Sequence, residues 1–318
     1  MRKAVVGISS VLEEQVSEVT RKTAIVASFV AAVLTGAYPT GQTAPAAGQG
    51  ANRASLLAIE HDNLELQRVP AFRAFDNLYY VGVGWVGAWL VTTDDGLILI
   101  DAVDRPGHVD HLLDGVRKMG FDPRNIRYVV VTHADTDHYA GAARIQREFG
   151  AQVAMSEADW LLAEVPLSEG NATSQPEVPR RDLVLQDDEK LTLGTTTLRF
   201  WSTPGHTSGA MSVDFTVFDN GQPHRAFLFG GGAATNDVPA VERFLASIEK
   251  VERLQDGVQV RIVSHPSTDP QFWDRVDQLL VRRSDEANPM VDGQLFRAWI
   301  QGLEASATRY LDIARSPR

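Results

Sequence analysis

Val129-Val130-Val131-Thr132-His133-Ala134-Asp135-Thr136-Asp137-His138-Tyr139-Ala140-Gly141 joins a β-branched run to four potential metal ligands crowded into six positions. The run predicts a short strand, and His133, Asp135, Asp137 and His138 fall just beyond its end. Desolvating four ionisable side chains there carries a cost with no compensation unless they face water or share a cation. The stretch therefore reads as half of a metal site.

Composition sets the surrounding limits. A chain of 318 residues, 44% hydrophobic and 22% charged, suits an ordinary globular protein of one large or two intimately packed domains. Its formal charge of -11 and the lack of a Lys/Arg stripe argue against a nucleic-acid partner and leave cationic or zwitterionic small molecules open as partners. Without cysteine there are no disulfides, zinc ribbons, iron–sulfur clusters or thiolate nucleophiles, so any metal must be held by His, carboxylate or water.

Near the N-terminus Arg21 and Lys22 precede an apolar run, Ala24 to Leu34, followed by the small residues Thr35-Gly36-Ala37 and Thr43-Ala44-Pro45-Ala46-Ala47. This order matches a secretory signal, and the run is too short to span a bilayer as a stable helix. Residues 1–46 are therefore expected to be an export segment, 47–55 a disordered linker, and 56–318 a single domain of two pseudo-symmetric halves, periplasmic or secreted and without a membrane span once mature. The twenty residues ahead of Arg21 carry Glu13, Glu14 and Glu18 and are long for a signal's charged start. A misassigned start codon accounts for them, and an amphipathic N-terminal helix is the competing reading.

Apolar runs at 77–81, 88–93 and 96–100, separated by glycines and by Asp94-Asp95-Gly96, predict consecutive antiparallel strands. Helical spacing of Val109, Leu112, Leu113 and Val116 predicts a helix over 108–119, closed by Gly120. Strands at 127–131 and 152–155 alternate with helices at 140–149 and 157–163, then a polar loop occupies 170–179. The second half repeats this grammar: strands at 183–185, 198–202, 211–218, 224–229 and 258–263, and helices at 240–254, 270–282 and 293–313. Asp219-Asn220-Gly221 marks a hairpin.

His206 in Thr203-Pro204-Gly205-His206-Thr207 and His265 in Ile262-Val263-Ser264-His265-Pro266 follow strands as His133 does, and both read as ligands. His61, His108, His111 and His224 lack a partner motif and read as residues of polar helix faces or turns. Trp85, Trp160, Tyr139 and Phe229 read as core before pocket. The acids Glu157 and Asp159 suit the first turn of a helix.

His-x-Asp-x-Asp-His, Thr-Pro-Gly-His-Thr-Ser-Gly and Ser-His-Pro, in that order and with Leu97-Ile98-Leu99-Ile100-Asp101-Ala102 upstream, resemble the metallo-β-lactamase superfamily, above all its His/Asp-only β-lactamase subclass and exported hydrolase relatives. The resemblance runs from about residue 77 to the C-terminus and implies an α+β fold, the four-layer αββα sandwich. It implies His133 and His206 as ligands of a first metal, and Asp137, His138 and His265 as ligands of a second. One or two Zn²⁺ ions would activate water against a small ester, lactone or amide, β-lactams included, with Asp137 also orienting the nucleophile. Asp101 resembles a carboxylate that orients the ligand loop or an imidazole. Thr207, Ser208, Thr235 and Asn236 are candidate substrate contacts.

Two positions depart from the pattern. Asp135 stands where the family carries His, and Gly230-Gly231-Gly232 stands where relatives carry an acid, Cys or Ser that bridges the metals or meets substrate. The second change weakens the β-lactam reading. If Asp135 coordinates, the first site is harder and Fe or Mn becomes possible. If Asp is too short to reach, one metal sits at Asp137, His138 and His265 alone. The flavodiiron proteins, with Glu there, resemble this chain at that position, so a di-iron oxidoreductase is the alternative function. A non-catalytic relative with a decayed site is the third.

Overall fold

Parity along the strands determines the layering. In Gly96–Ile100, Ile98 and Ile100 point into one buried cluster while Leu97 and Leu99 point into another, so this strand is covered on both faces. In the computed structural model, which describes residues 49–165, 176–232 and 237–316, the same split recurs throughout. The export segment, Thr235 and Asn236 lie outside the described residues.

The first sheet runs in chain order: β1 (Phe72–Phe75), β2 (Leu78–Tyr80), β3 (Trp89–Thr93), β4 (Gly96–Ile100), β5 (Ile126–Val130), β6 (Gln152–Ser156) and β7 (Leu183–Leu185). It is antiparallel through β4 and parallel from there on. The second sheet contains β8 (Lys190–Leu193), β9 (Thr196–Ser202), β10 (Met211–Asp219), β11 (Gln222–Leu228) and β12 (Val258–Ile262), in the reverse spatial order from β12 to β8. Asp219 pairs with Gln222 across the expected hairpin.

The helices described are α1 (Gln49–Ile59), α2 (Leu64–Gln67), α3 (Pro106–Lys118), α4 (Thr136–Tyr139), α5 (Ala142–Phe149), α6 (Glu157–Ala163), α7 (Val238–Leu254), α8 (Phe272–Val281) and α9 (Gly293–Arg315). Three apolar clusters fill three interfaces. Between the sheets lie Tyr80, Val91, Ile100 and Val130 from one side and Phe200, Val213, Leu228 and Ile262 from the other. Val109, Leu112 and Val116 of α3, Ile145 of α5 and Trp160 of α6 cover the outer face of the first sheet. Phe244 and Ile248 of α7, with Phe296, Ile300 and Leu303 of α9, cover Phe227 and Phe229 of the second. This is the αββα sandwich. No helix among the described residues is long and apolar enough to cross a membrane.

Three expectations need correction. Residues 49–55, read as part of a disordered linker, belong to α1: Leu57 and Ala54 are buried against the inter-sheet core, and the Arg53 guanidinium lies 4.5 Å over the Trp273 ring of α8. Ala, Arg and Leu there are strong helix formers, and the apolar stripe has somewhere to pack. His108, read as polar-face, is 1% exposed and pairs with Asp104. The edge strands β1 and β8 were not expected, because four-residue runs with one or two apolar anchors carry little periodic signal.

If α1 is a packed helix, Leu57→Ala should cost about 2–5 kcal/mol in urea unfolding, whereas its half-exposed neighbour Leu56→Ala should cost less than about 0.5 kcal/mol. Equal, small effects would show that this segment contributes nothing to the core.

Candidate metal centre

Four strand ends converge on one edge of the sandwich. The ligand loop leaves β5 and turns into α4; His206 follows β9, His265 follows β12, and Asp101 ends β4. The loops are joined by backbone: Met211 N–H donates to the Thr132 carbonyl at 2.8 Å and Ala102 N–H to that of His138 at 2.8 Å.

Two groups of three ligands result, His133/Asp135/His206 and Asp137/His138/His265, with the candidate ligand atoms of each group within 4.8 Å of one another. In the first, Asp135 Oδ2 is 2.8 Å from His206 Nε2 and 3.6 Å from His133 Nε2. In the second, Asp137 Oδ2 is 3.2 Å from His138 Nε2 and 3.3 Å from His265 Nε2. His133 and His138 stack with ring centroids 3.9 Å apart, which places the groups side by side.

The hydrogen bonds at the far side of each ring fix its tautomer. His138 Nδ1 lies 2.8 Å from Asp101 Oδ2, and His265 Nδ1 lies 3.0 Å from the Trp85 carbonyl. Both neighbours only accept, so each Nδ1 carries a proton and each Nε2 is turned toward the ligand group. Those two Nε2 atoms are 3.1 Å apart. Thr132 Oγ1 donates to Asp101 Oδ2 and so accepts from His133 Nδ1 at 3.0 Å; His133 Nε2 is then a buried lone pair with no hydrogen-bond partner. Inward-facing Nε2 atoms beside carboxylates are what a cation, or a proton, would reconcile, and the donor set fits a divalent metal.

The protonation equilibria agree. Burial, with a smaller contribution from His138, holds His133 at about 4, so it is neutral and ready to ligate at neutral pH. Burial also opposes protonation of His138, but Asp137 and Asp101 outweigh it and raise this imidazole well above its usual value. A metal entering the second group therefore displaces a proton from His138, and acid competes with binding there. Partial desolvation opposes ionisation of Asp135, yet His133 and His206 hold its carboxyl below the usual carboxylate range.

Asp101 is the hub. It is 1% exposed and accepts from the Thr132 N–H at 2.8 Å as well as from Thr132 Oγ1 and His138. Its φ of 62° and that of Val103, 54°, are left-handed, a conformation costing about 1–3 kcal/mol each that persists where surroundings dictate it.

Asp159 has more than the helix-dipole role read from sequence. Fully buried at the start of α6, it accepts from Ala134 N–H at 2.9 Å, Thr207 Oγ1 at 2.8 Å and Gly209 N–H at 3.0 Å. Desolvation raises its carboxyl above the usual value despite those bonds. Thr207, expected to face substrate, instead spends its hydroxyl on Asp159, while Ser208 is exposed. Of the aromatics, Tyr139, Trp160 and Phe229 are core, and Trp85 lies against His265 with centroids 5.4 Å apart. Gly231 has φ +70° and lies so close to His206 that a Cβ would come within 2.5 Å of the His206 Cβ. At Gly232 a Cβ would meet only Trp299 and Thr268, at 3.8 and 4.0 Å, so that position is open.

Fold and site together define a class, the αββα sandwich with two His/Asp groups able to hold metal at its strand ends. Residues 82–217 match the family description of the metallo-beta-lactamase superfamily. The chain is 28% identical over 212 residues to the hydroxyacylglutathione hydrolase of Acidiphilium cryptum, covering 67% of this chain and 72% of that protein. A hydroxyacylglutathione hydrolase of Bartonella tribocorum is 32% identical over 103 residues, 32% of either chain. Among solved structures, BJP-1, a subclass B3 metallo-beta-lactamase of Bradyrhizobium japonicum, superimposes with TM-score 0.68 at 26% identity over 77% of this chain and 94% of that one. Native FEZ-1 metallo-beta-lactamase of Legionella gormanii does so with TM-score 0.68 at 25% identity over 78% and 98%.

Asp101→Asn tests the hub. With an amide facing His138 Nδ1 and Thr132, metal affinity of the second group should fall about 10–100-fold in a zinc titration against a competing chelator. Unchanged affinity would remove the orienting role of Asp101.

Proposed function

We propose that the protein is a metal-dependent hydrolase that adds water to the acyl carbonyl of a small ester, lactone or amide, using one or two Zn²⁺ ions. The observation that carries this reading is the pair of His₂Asp groups whose imidazole Nε2 atoms converge at one edge of the sandwich. The names of the relatives support it: hydroxyacylglutathione and β-lactams are both acyl compounds, and both kinds of relative are hydrolases.

Ions held there would supply Lewis acidity and lower the pKa of bound water towards about 7. In our reading His133, Asp135 and His206 hold one ion and Asp137, His138 and His265 the other. Asp101 and the Trp85 carbonyl keep His138 and His265 in the ligating tautomer. Asp137 turns one oxygen to the imidazoles, and we assign the other to orienting the attacking water and accepting its proton. Trp85 beside His265 and the exposed Ser208 are the substrate contacts we favour, together with Thr235 and Asn236. The anionic Asp135 admits Fe or Mn in the first site. We also propose export, carried by the charged flank and apolar run at 21–34.

Metal content, chelation and turnover test this reading together. Protein purified without added metal should carry up to two ions per chain, lose hydrolysis of an aryl ester, a lactone or hydroxyacylglutathione on chelation, and regain it with zinc. Asp137→Ala should lower kcat by about 10²–10⁴-fold. Metal-replete protein inert toward every acyl substrate would sink the proposal. Negligible turnover of penicillins and carbapenems would remove β-lactams alone. The relatives do not favour a di-iron oxidoreductase, which an iron-loaded protein with a visible absorption band would revive.

A further inference from the structure

The three hydrogen bonds accepted by Asp159 all come from the two loops that carry the first ligand group. Ala134 lies between His133 and Asp135, Thr207 adjoins His206, and Gly209 closes the same turn. Each bond therefore acts within a few atoms of a ligand. The fit is tight: a Cβ on Gly209 would come within 2.6 Å of Asp159 Oδ1 and 2.1 Å of Ser156 Oγ, so no side chain can stand there without parting the loops. The second group is oriented differently, by Asp101 on His138 and by the Trp85 carbonyl on His265.

We propose that Asp159 is a positioning residue for the first metal site, setting the distance between the His133–Asp135 loop and the His206 loop so that Asp135 can serve as a ligand. The proposal rests on the reading that this group holds an ion. Separation matters here because an Asp side chain has little reach. Asp135 Oδ2 already stands 2.8 Å from His206 Nε2 but 3.6 Å from His133 Nε2, so further parting of the loops leaves a carboxylate unable to share an ion with both imidazoles. Asp159 suits the task because its two oxygens serve both loops at once: Oδ2 takes Ala134 and Thr207, and Oδ1 takes Gly209. The isosteric amide cannot do this. Whichever way an Asn is turned, its NH₂ faces at least one N–H, leaving a buried donor unpaired.

The test compares wild type, Asp159→Asn, Thr207→Val and Thr207→Ser by zinc titration against a chromophoric chelator. Co²⁺ substitution assigns each step to one site by its spectrum. Asp159→Asn is expected to weaken the first site about 10–100-fold and leave the second unchanged. Thr207→Val should weaken the first site less, and Thr207→Ser, which keeps the hydroxyl, should restore it. If Asp159→Asn does not fold, the two Thr207 variants decide the matter by the same readout. Equal loss at both sites, or wild-type affinity at both, overturns the positioning role while leaving the metal centre intact. Wild type that takes no ion at His133/Asp135/His206 instead overturns the metal reading of that site, and this proposal with it.

Discussion

The constraint on which the centre depends is the direction of three imidazole protons. Asp101, Thr132 and the Trp85 carbonyl occupy the Nδ1 edges of His138, His133 and His265, and every Nε2 is thereby turned inward. The Nε2 atoms of His138 and His265 lie 3.1 Å apart, and the buried Nε2 of His133 has no hydrogen-bond partner, so polar atoms face one another with too few protons between them. Protonation of His138 relieves part of the conflict, since Asp137 and Asp101 favour its charged form. A cation shared by each ligand group would relieve the rest.

The fold meets this constraint by spending backbone energy at one sheet edge. Left-handed Asp101 and Val103 turn the chain sharply after β4, so that the Asp101 carboxylate looks across to β5. Apolar layers on both sides of each sheet hold the strand ends still enough for such strain to persist. A site built on loops thereby acquires the rigidity of the sandwich beneath it. The first ligand group, with Asp in place of a nitrogen donor, carries more negative charge than the family's pattern, and Asp159 adds another buried carboxylate nearby. Both raise the demand for a cation at that position.

Much of this could be read from the chain. His133, His206 and His265 each lie just after a strand, a local signal that needs no tertiary information, and the fold gathers them beside His138. Within the first sheet β3 and β4 were legible because their apolar runs are nearly continuous, whereas the edge strand β1 was not. Asp159 was not legible: an acid in the first turn of a helix looks like a dipole partner, and its three hydrogen-bond donors lie 25, 48 and 50 residues away. His108 was misplaced because a histidine on an amphipathic helix belongs by default to the polar face, and only the fold reveals Asp104 beneath it. Segment 49–55 looked like a linker by composition, but the packing of Leu57 and the stacking of Arg53 on Trp273 come from α8 and the inter-sheet core, more than 200 residues away for the Arg53–Trp273 pair.

Anomalous diffraction from crystals grown with zinc is the most direct test of the paired centre. Two peaks are predicted, one about 2.0–2.2 Å from His133, Asp135 and His206 and the other equally near Asp137, His138 and His265. A single peak at the second group, with the Asp135 carboxylate turned away from His206, would contradict the account.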